Sequence, residues 1–148
     1  MQPTWRILAA AMSFGIVLVS AHAVTGRAIP DPTVMSAPDL LTIVRQPPSA
    51  HAEISDPAMV QRLYALLLEL PPVPAGTFHC PRDSGVTYSL VFYDGSTVVL
   101  PAIVHPSGCQ TVLLGNGQSR WALGAAGSAF LDVLRAATGL SVTAFSGS

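Results

Sequence analysis

The clearest hydrophobic pattern along the chain is helical. Apolar residues recur at three- and four-residue intervals after Asp56-Pro57, which predicts a helix over 56–70. The aspartate can cap that helix, and the proline suits its first turn, where no N–H is needed. The same spacing returns after Ser128, a candidate cap, and ends at Gly139, a residue type that commonly closes helices. Each helix carries one apolar stripe, so each must pack against another element.

Shorter runs of alternating or β-branched residues predict strands. These runs cover 40–44, 52–55, 86–92, 97–104, 110–114 and 118–123. Because consecutive runs are separated by turn residues, neighbouring strands are expected to pair antiparallel. The order of elements therefore predicts an α+β fold, in which two helices pack on one face of an antiparallel sheet of about four to five strands.

A hairpin signal, Asp94-Gly95, lies between two of these runs. Pairing across it sets Leu90 opposite Val99. Because side chains alternate between the faces of a sheet, this register predicts that Ile103 lies on the same face as Leu90.

The first 23 residues have the pattern of an export signal. A short start with one arginine precedes a 13-residue apolar core and a small-x-small motif, which predicts a signal peptide over 1–23 cut between Ala23 and Val24. An uncleaved membrane anchor is the alternative, although the apolar stretch barely reaches bilayer length. Residues 24–38 contain three prolines and predict a flexible linker, which leaves 39–148 as a single secreted or otherwise extracytoplasmic domain.

The charge composition excludes several functions. The chain has a net charge of -1, which gives no basis for capturing nucleic acid, and a membrane is an expected partner only if the N-terminal segment stays uncleaved. All seven basic residues are arginines. Schiff-base chemistry, a phosphate loop and a Ser-Lys dyad all need a lysine, so none is available.

The two cysteines, Cys80 and Cys109, predict a disulfide. An exported chain with an even cysteine count favours a bridge, and the predicted hairpin brings both residues to the same end of the sheet. Two alternatives stay open. His79 and His105 would complete a Cys2His2 metal set, although adjacent ligands are unusual for zinc, and Cys80 could be a nucleophile if it stayed reduced. We assign no catalytic, cofactor or metal-binding residue on this basis.

Four residues form a candidate interaction surface. Arg82 and Asp83 lie in a turn beside the predicted bridge, in a loop that the bridge would hold rigid. Arg120 and Trp121 are adjacent, and both residue types are frequent at binding hot spots.

An ordered set of short motifs runs through the domain, namely D-P-A-x-V-x-x-L-Y-x-x-L-x-x-L-P over 56–71, C-P-x-D-x-G-x-x-Y-x-L-x-F over 80–92, G-C-Q-T-V over 108–112 and R-W-A over 120–122. With this combination the chain resembles a group of small exported proteins and lipoproteins of high-GC bacteria, across residues 39–140. The group has no assigned activity, so the resemblance implies a recurring exported fold and no catalytic residues. Unlike the lipidated members, this chain has no cysteine directly after its export signal.

Two functions follow as hypotheses. The first is a non-catalytic binding or interaction module, with an unknown partner in the cell envelope or outside the cell, because no nucleophile, base and metal set converges in the sequence. The second is a small extracytoplasmic hydrolase or inhibitor-like protein that uses the loops His79–Gly85 and His105–Gly108 at one end of the sheet.

Overall fold

A computed structural model describes residues 37–147. The predicted signal peptide and its cleavage site, and most of the predicted linker, lie outside these residues. The described elements are β1 (Leu40–Gln46), β2 (Ala50–Ile54), α1 (Pro57–Leu68), β3 (Thr87–Asp94), β4 (Thr97–Val104), β5 (Thr111–Leu114), β6 (Ser119–Trp121), α2 (Ala125–Thr138) and α3 (Val142–Ser146). The α+β class and the antiparallel sheet are confirmed, with more elements than expected.

The strands form one antiparallel sheet in the order β2-β1-β3-β4-β5-β6. Six described strands replace the four to five that were predicted, because both short segments, 52–55 and 118–123, are paired strands. β1 also runs on to Gln46, two residues past the predicted end, since its residues pair with β2 on one side and β3 on the other.

One face of the sheet is buried under the helices, and we call it the covered face. Alternate residues of β1, β3, β4 and β5 point into it and meet the apolar stripes of α1 and α2. The ring of Tyr64 on α1 meets Phe92 edge-on, with centroids 5.4 Å apart. Phe145 of α3, a helix that the sequence did not predict, stacks on Tyr88 at 4.7 Å. The opposite side of the sheet, left uncovered by the described helices, is the open face.

The helix ends follow their capping residues, with one correction. Asp56 caps α1 through a hydrogen bond from the Ala58 N–H, 3.1 Å long, and Gly139 closes α2 in a left-handed conformation, both as predicted. Ser128 is not the cap of α2, because that helix begins at Ala125 and encloses it. The early start brings Gly127 against the end of β6, where only a residue without a Cβ fits.

The predicted register of the hairpin is wrong. Asp94 pairs with Thr97, so the turn lies one residue later than expected, and a bulge in β4 shifts the pairing further. Leu90 therefore faces Ala102 instead of Val99. Ile103 moves to the opposite face of the sheet, where 40% of its surface is exposed.

Candidate functional site

Two regions carry the features from which a function can be argued. The first consists of loops 79–85 and 105–109, which a disulfide between Cys80 and Cys109 joins. We call them the stapled loops. The two Cα atoms are 4.9 Å apart, within the normal range for a bridge, and the predicted disulfide is confirmed. A disulfide is typical of proteins in oxidising compartments outside the cytoplasm.

Asp83 organises the stapled loops. Its Oδ1 accepts hydrogen bonds from the Gly85 N–H and the Ser107 hydroxyl, both 2.9 Å long. These two bonds, helped by the charge of His105, hold the pKa of the Asp83 carboxyl below its ordinary value. Gly108 adopts a positive φ of 63° and passes so close to Asp83 that an added Cβ would lie 3.1 Å from the Asp83 Cβ. The turn around Asp83 thus combines a local hydrogen bond from Gly85, as its sequence predicts, with a bond from Ser107 in the other stapled loop.

The described partners of the Ser84 hydroxyl are serine and backbone groups. Its hydroxyl donates to the Ser146 carbonyl at 2.5 Å and lies 2.7 Å from the Ser107 hydroxyl. Neither His79 nor His105 hydrogen-bonds a serine hydroxyl among the described residues. The loops therefore hold an ordered chain of hydroxyl groups that anchors α3 to the sheet end, without the base that a serine nucleophile needs.

The four predicted interaction residues do not form one surface. Arg82 and Asp83 line a polar cavity of about 470 Å³ beside the stapled loops. Arg120 lies on the covered side of β6, where it donates to the Leu70 carbonyl at 3.3 Å and to Gln118 at 3.0 Å. Trp121, the next residue along the strand, points to the open side.

Trp121 has an aromatic partner there. The ring of Phe78, which is 40% exposed, lies 5.1 Å from the Trp121 ring, while the backbone N–H of Trp121 donates to the Pro71 carbonyl at 2.8 Å. The segment after α1 thus runs along the edge of β6 before it reaches the disulfide, and it supports one end of the open face.

The second region is an apolar groove on the open face, across the three central strands. Its aliphatic side chains are Val91 on β3, Pro101 and Ile103 on β4, and Leu113 on β5. The pairs Val91–Pro101 and Ile103–Leu113 lie directly opposite each other across neighbouring strands. The groove has a volume of about 440 Å³. The sequence reasoning missed it, because the wrong hairpin register placed Ile103 in the core.

Among the described residues, 37–147, no charged side chain lines this groove. Besides the aliphatic side chains, its lining consists of Ser89, Gly115, Gly117 and backbone from the inward-facing residues of the same strands. Among the titratable open-face residues, Tyr93 follows Val91 by two residues on β3, His105 follows Ile103 by two residues at the end of β4, and Glu53 and His51 lie two strands away on β2. The groove is therefore an uncharged, aliphatic surface in the centre of the sheet.

Within residues 37–147, no group of three histidine, cysteine or carboxylate side chains is close enough to hold a metal ion. Among the same residues, none of the helices combines the length and the hydropathy that a membrane crossing requires. A scan against protein-family models, a search of curated proteins and a search of solved structures returned no match for this chain.

Proposed function

We propose that this chain is an exported, non-catalytic binding module and that its open-face groove holds a small aliphatic ligand. The observation that carries the proposal is the exposure of Ile103 and Leu113, 40% and 42%, at the centre of an uncovered sheet face. Uncovered faces of antiparallel sheets usually alternate to polar residues. A contiguous exposed apolar patch at such a position is typical of a binding surface.

The chemistry of the lining selects an uncharged ligand. A charged or strongly polar group placed against Val91, Pro101, Ile103 and Leu113 would lose its water and gain no hydrogen-bond partner, which is unfavourable by several kcal/mol. An alkyl or acyl chain loses nothing of that kind, and it gains about 25 cal/mol for each Å² of apolar surface that it buries.

The size of the groove selects a small molecule over a protein. Its volume of about 440 Å³ lies within the range of small-molecule sites. A stable protein–protein interface needs about 20 to 30 residues a side, and four aliphatic side chains supply only a fraction of that. The same argument disfavours a second copy of this chain as the occupant.

Export is supported by the N-terminal pattern, by the disulfide and by the resemblance to small exported proteins. The test is the intact mass of the protein recovered from the producing cells and from their medium, before and after reduction and alkylation. Export with cleavage predicts a chain that begins at Val24 and takes up alkyl groups only after reduction. Full-length protein in the membrane fraction would favour the uncleaved anchor instead.

Binding is tested with an uncharged fluorescent probe, N-phenyl-1-naphthylamine, and its displacement by 1-dodecanol, on the chain as recovered. Ile103→Thr keeps a β-branched residue at the same position but adds a hydroxyl to the groove. We expect it to weaken probe binding several-fold. The matched control is Val142→Thr, at an exposed valine on α3 on the covered side. Equal effects of the two substitutions, or probe binding that 1-dodecanol does not displace, would contradict an aliphatic site in the groove.

A further inference from the structure

Arg45 is a buried cation on the covered face. It follows Ile43 by two residues on β1, so the alternation of the strand places its guanidinium where the core would otherwise have an aliphatic side chain, and only 8% of the residue is exposed. Its hydrogen bonds go to backbone carbonyls. Nη1 donates to Pro47 at 2.6 Å and Pro48 at 3.1 Å, and Nη2 donates to Ala144 in α3 at 2.9 Å.

No carboxylate in the described part of the chain pairs with this charge. The one ion pair found within residues 37–147 joins Arg135 and Asp132, which both lie on α2. The Nε–H of Arg45 is buried and finds no hydrogen-bond partner among residues 37–147. Nε and Nη2 form one edge of the guanidinium, and such an edge can hold the two oxygens of a carboxylate. An unsatisfied donor of this kind is costly to bury, more so on a charged group.

A cavity of about 70 Å³ lies beside Arg45, which is more room than a single water requires. Its lining is formed by Ile43, Arg45, Ala50, His51, Ala52, Tyr88, Thr138 and Leu140, and includes no carboxylate. The hydroxyl of Tyr88 donates to the Phe145 carbonyl at 2.9 Å. Burial raises the pKa of Tyr88, an effect that the hydrogen-bonding proximity of the Arg45 side chain and, less strongly, its charge partly oppose, so the phenol stays neutral and adds no negative charge.

We infer that this cavity binds a small carboxylate, of formate or acetate size, with its oxygens on the Nε–H and Nη2–H of Arg45. One negative charge matches the one buried cation, and the planar carboxylate matches the edge of the guanidinium. A volume of about 70 Å³ suits an ion of this size better than a phosphate ester or a nucleotide. The site lies on the covered side, whereas the aliphatic groove lies on the open face, so this inference does not depend on the proposed groove ligand.

The experiment follows the arginine Nε–H resonances of the ¹⁵N-labelled chain by NMR while sodium acetate replaces sodium chloride at constant ionic strength. We expect a saturable shift of the Arg45 Nε–H signal with acetate. Arg62, exposed on α1, is the internal control and should not show saturation. A chloride titration against sodium perchlorate separates a carboxylate site from a general anion site. Saturation with chloride at the same concentrations as acetate, or no saturation with acetate, would overturn the inference.

Two substitutions identify the cavity as the origin of the shift. Ala50 pairs with Arg45 across β1 and β2 and lines the cavity, so Ala50→Leu should fill it and abolish the saturable shift while Arg45 remains. Ala65→Leu, at an exposed position on α1, is the matched control and should leave the shift unchanged. Acetate bound at Arg45 should raise the thermal unfolding temperature of the original chain. Arg45→Lys keeps the charge but lacks the planar edge, so acetate should not raise the unfolding temperature of that variant. If that variant does not fold, the Ala50→Leu spectrum decides, because a retained saturable shift there overturns the site.

Discussion

Both faces of the sheet carry aliphatic residues, but those on the covered face form the core and those on the open face are exposed. On the covered face, Leu90 is 1% exposed and packs beneath the helices. On the open face, Leu113 lies two strands away and is 42% exposed, with no described element above it. The folded domain gains stability from burying Leu90, and it gains little from Leu113. Aliphatic residues that folding does not require are the strongest indication of a binding surface in this molecule.

The sharpest way to break this comparison is to truncate the same residue type on each face. Leu90→Ala should lower the free energy of unfolding by about 3 to 4 kcal/mol, because it removes buried methyl groups and leaves a cavity. Leu113→Ala should change it by about 0.5 kcal/mol or less, as at other exposed positions. Urea unfolding of both variants measures the two values. Equal losses would mean that the open face is part of the core, and the groove would no longer be a candidate site.

The disulfide stabilises one end of the sheet, and we expect it to have no effect on binding in the groove. It links residues 29 apart in sequence, and the replacement of Cys80 and Cys109 together by alanine should reduce stability by about 3 kcal/mol, because the unfolded chain loses a constraint. The groove lies on the central strands and does not include the stapled loops. Probe binding by the folded double variant should therefore match that of the original chain. Weaker binding at a temperature where the variant is fully folded would show that the loops shape the groove.

Much of this fold could be predicted from the sequence, because its signals are local. Helix α1 begins at Pro57 behind the Asp56 cap, and the pairing of Cys80 with Cys109 followed from cysteine count and strand direction. The class of the fold and the antiparallel sheet followed from periodicity. These features depend on short stretches of chain and on simple rules of connection.

The groove and the buried arginine depend on which face of the sheet each strand residue occupies. Local sequence signals did not predict those faces correctly. The later turn moved each cross-strand partner by two residues, which keeps the face, and the one-residue bulge then reversed the predicted face of Ile103, because a strand has a period of two residues. The predicted strand 40–44 ended just before Arg45, so the inward position of that side chain was also missed. Its place two residues after Ile43 was the available signal, since alternation put it on the covered face.

A polar substitution on the open face sharpens the contrast between stability and binding. Ile103→Thr is expected to change the free energy of unfolding by about 0.5 kcal/mol, since the side chain is 40% exposed and threonine suits a strand. The same substitution should weaken probe binding several-fold. Parallel urea and fluorescence titrations on one preparation measure both quantities. If stability and binding fall together, the weaker binding reflects partial unfolding, and Ile103 is not a contact residue.

The smallest expected effect concerns the end of the sheet where the stapled loops hold α3 on the covered face. Hydrogen bonds lower the pKa of Asp83 in the folded state, so its charged form stabilises the fold at any pH above the pKa of Asp83 in the unfolded chain, about 4. That contribution is lost as the pH falls through the lower pKa that Asp83 has in the folded state. Asp83→Asn should therefore be less stable than the original chain at pH 6, with a difference that narrows below about pH 4. Solvent screening keeps this difference small, because the carboxylate is exposed.

Glu53→Gln, at an exposed position on the edge strand β2, is the control for the loss of one carboxylate charge. An Asp83→Asn difference that stays constant from pH 6 to pH 3 would mean that the amide disturbs the turn itself. The charge on Asp83 would then contribute nothing to holding α3 against the covered face.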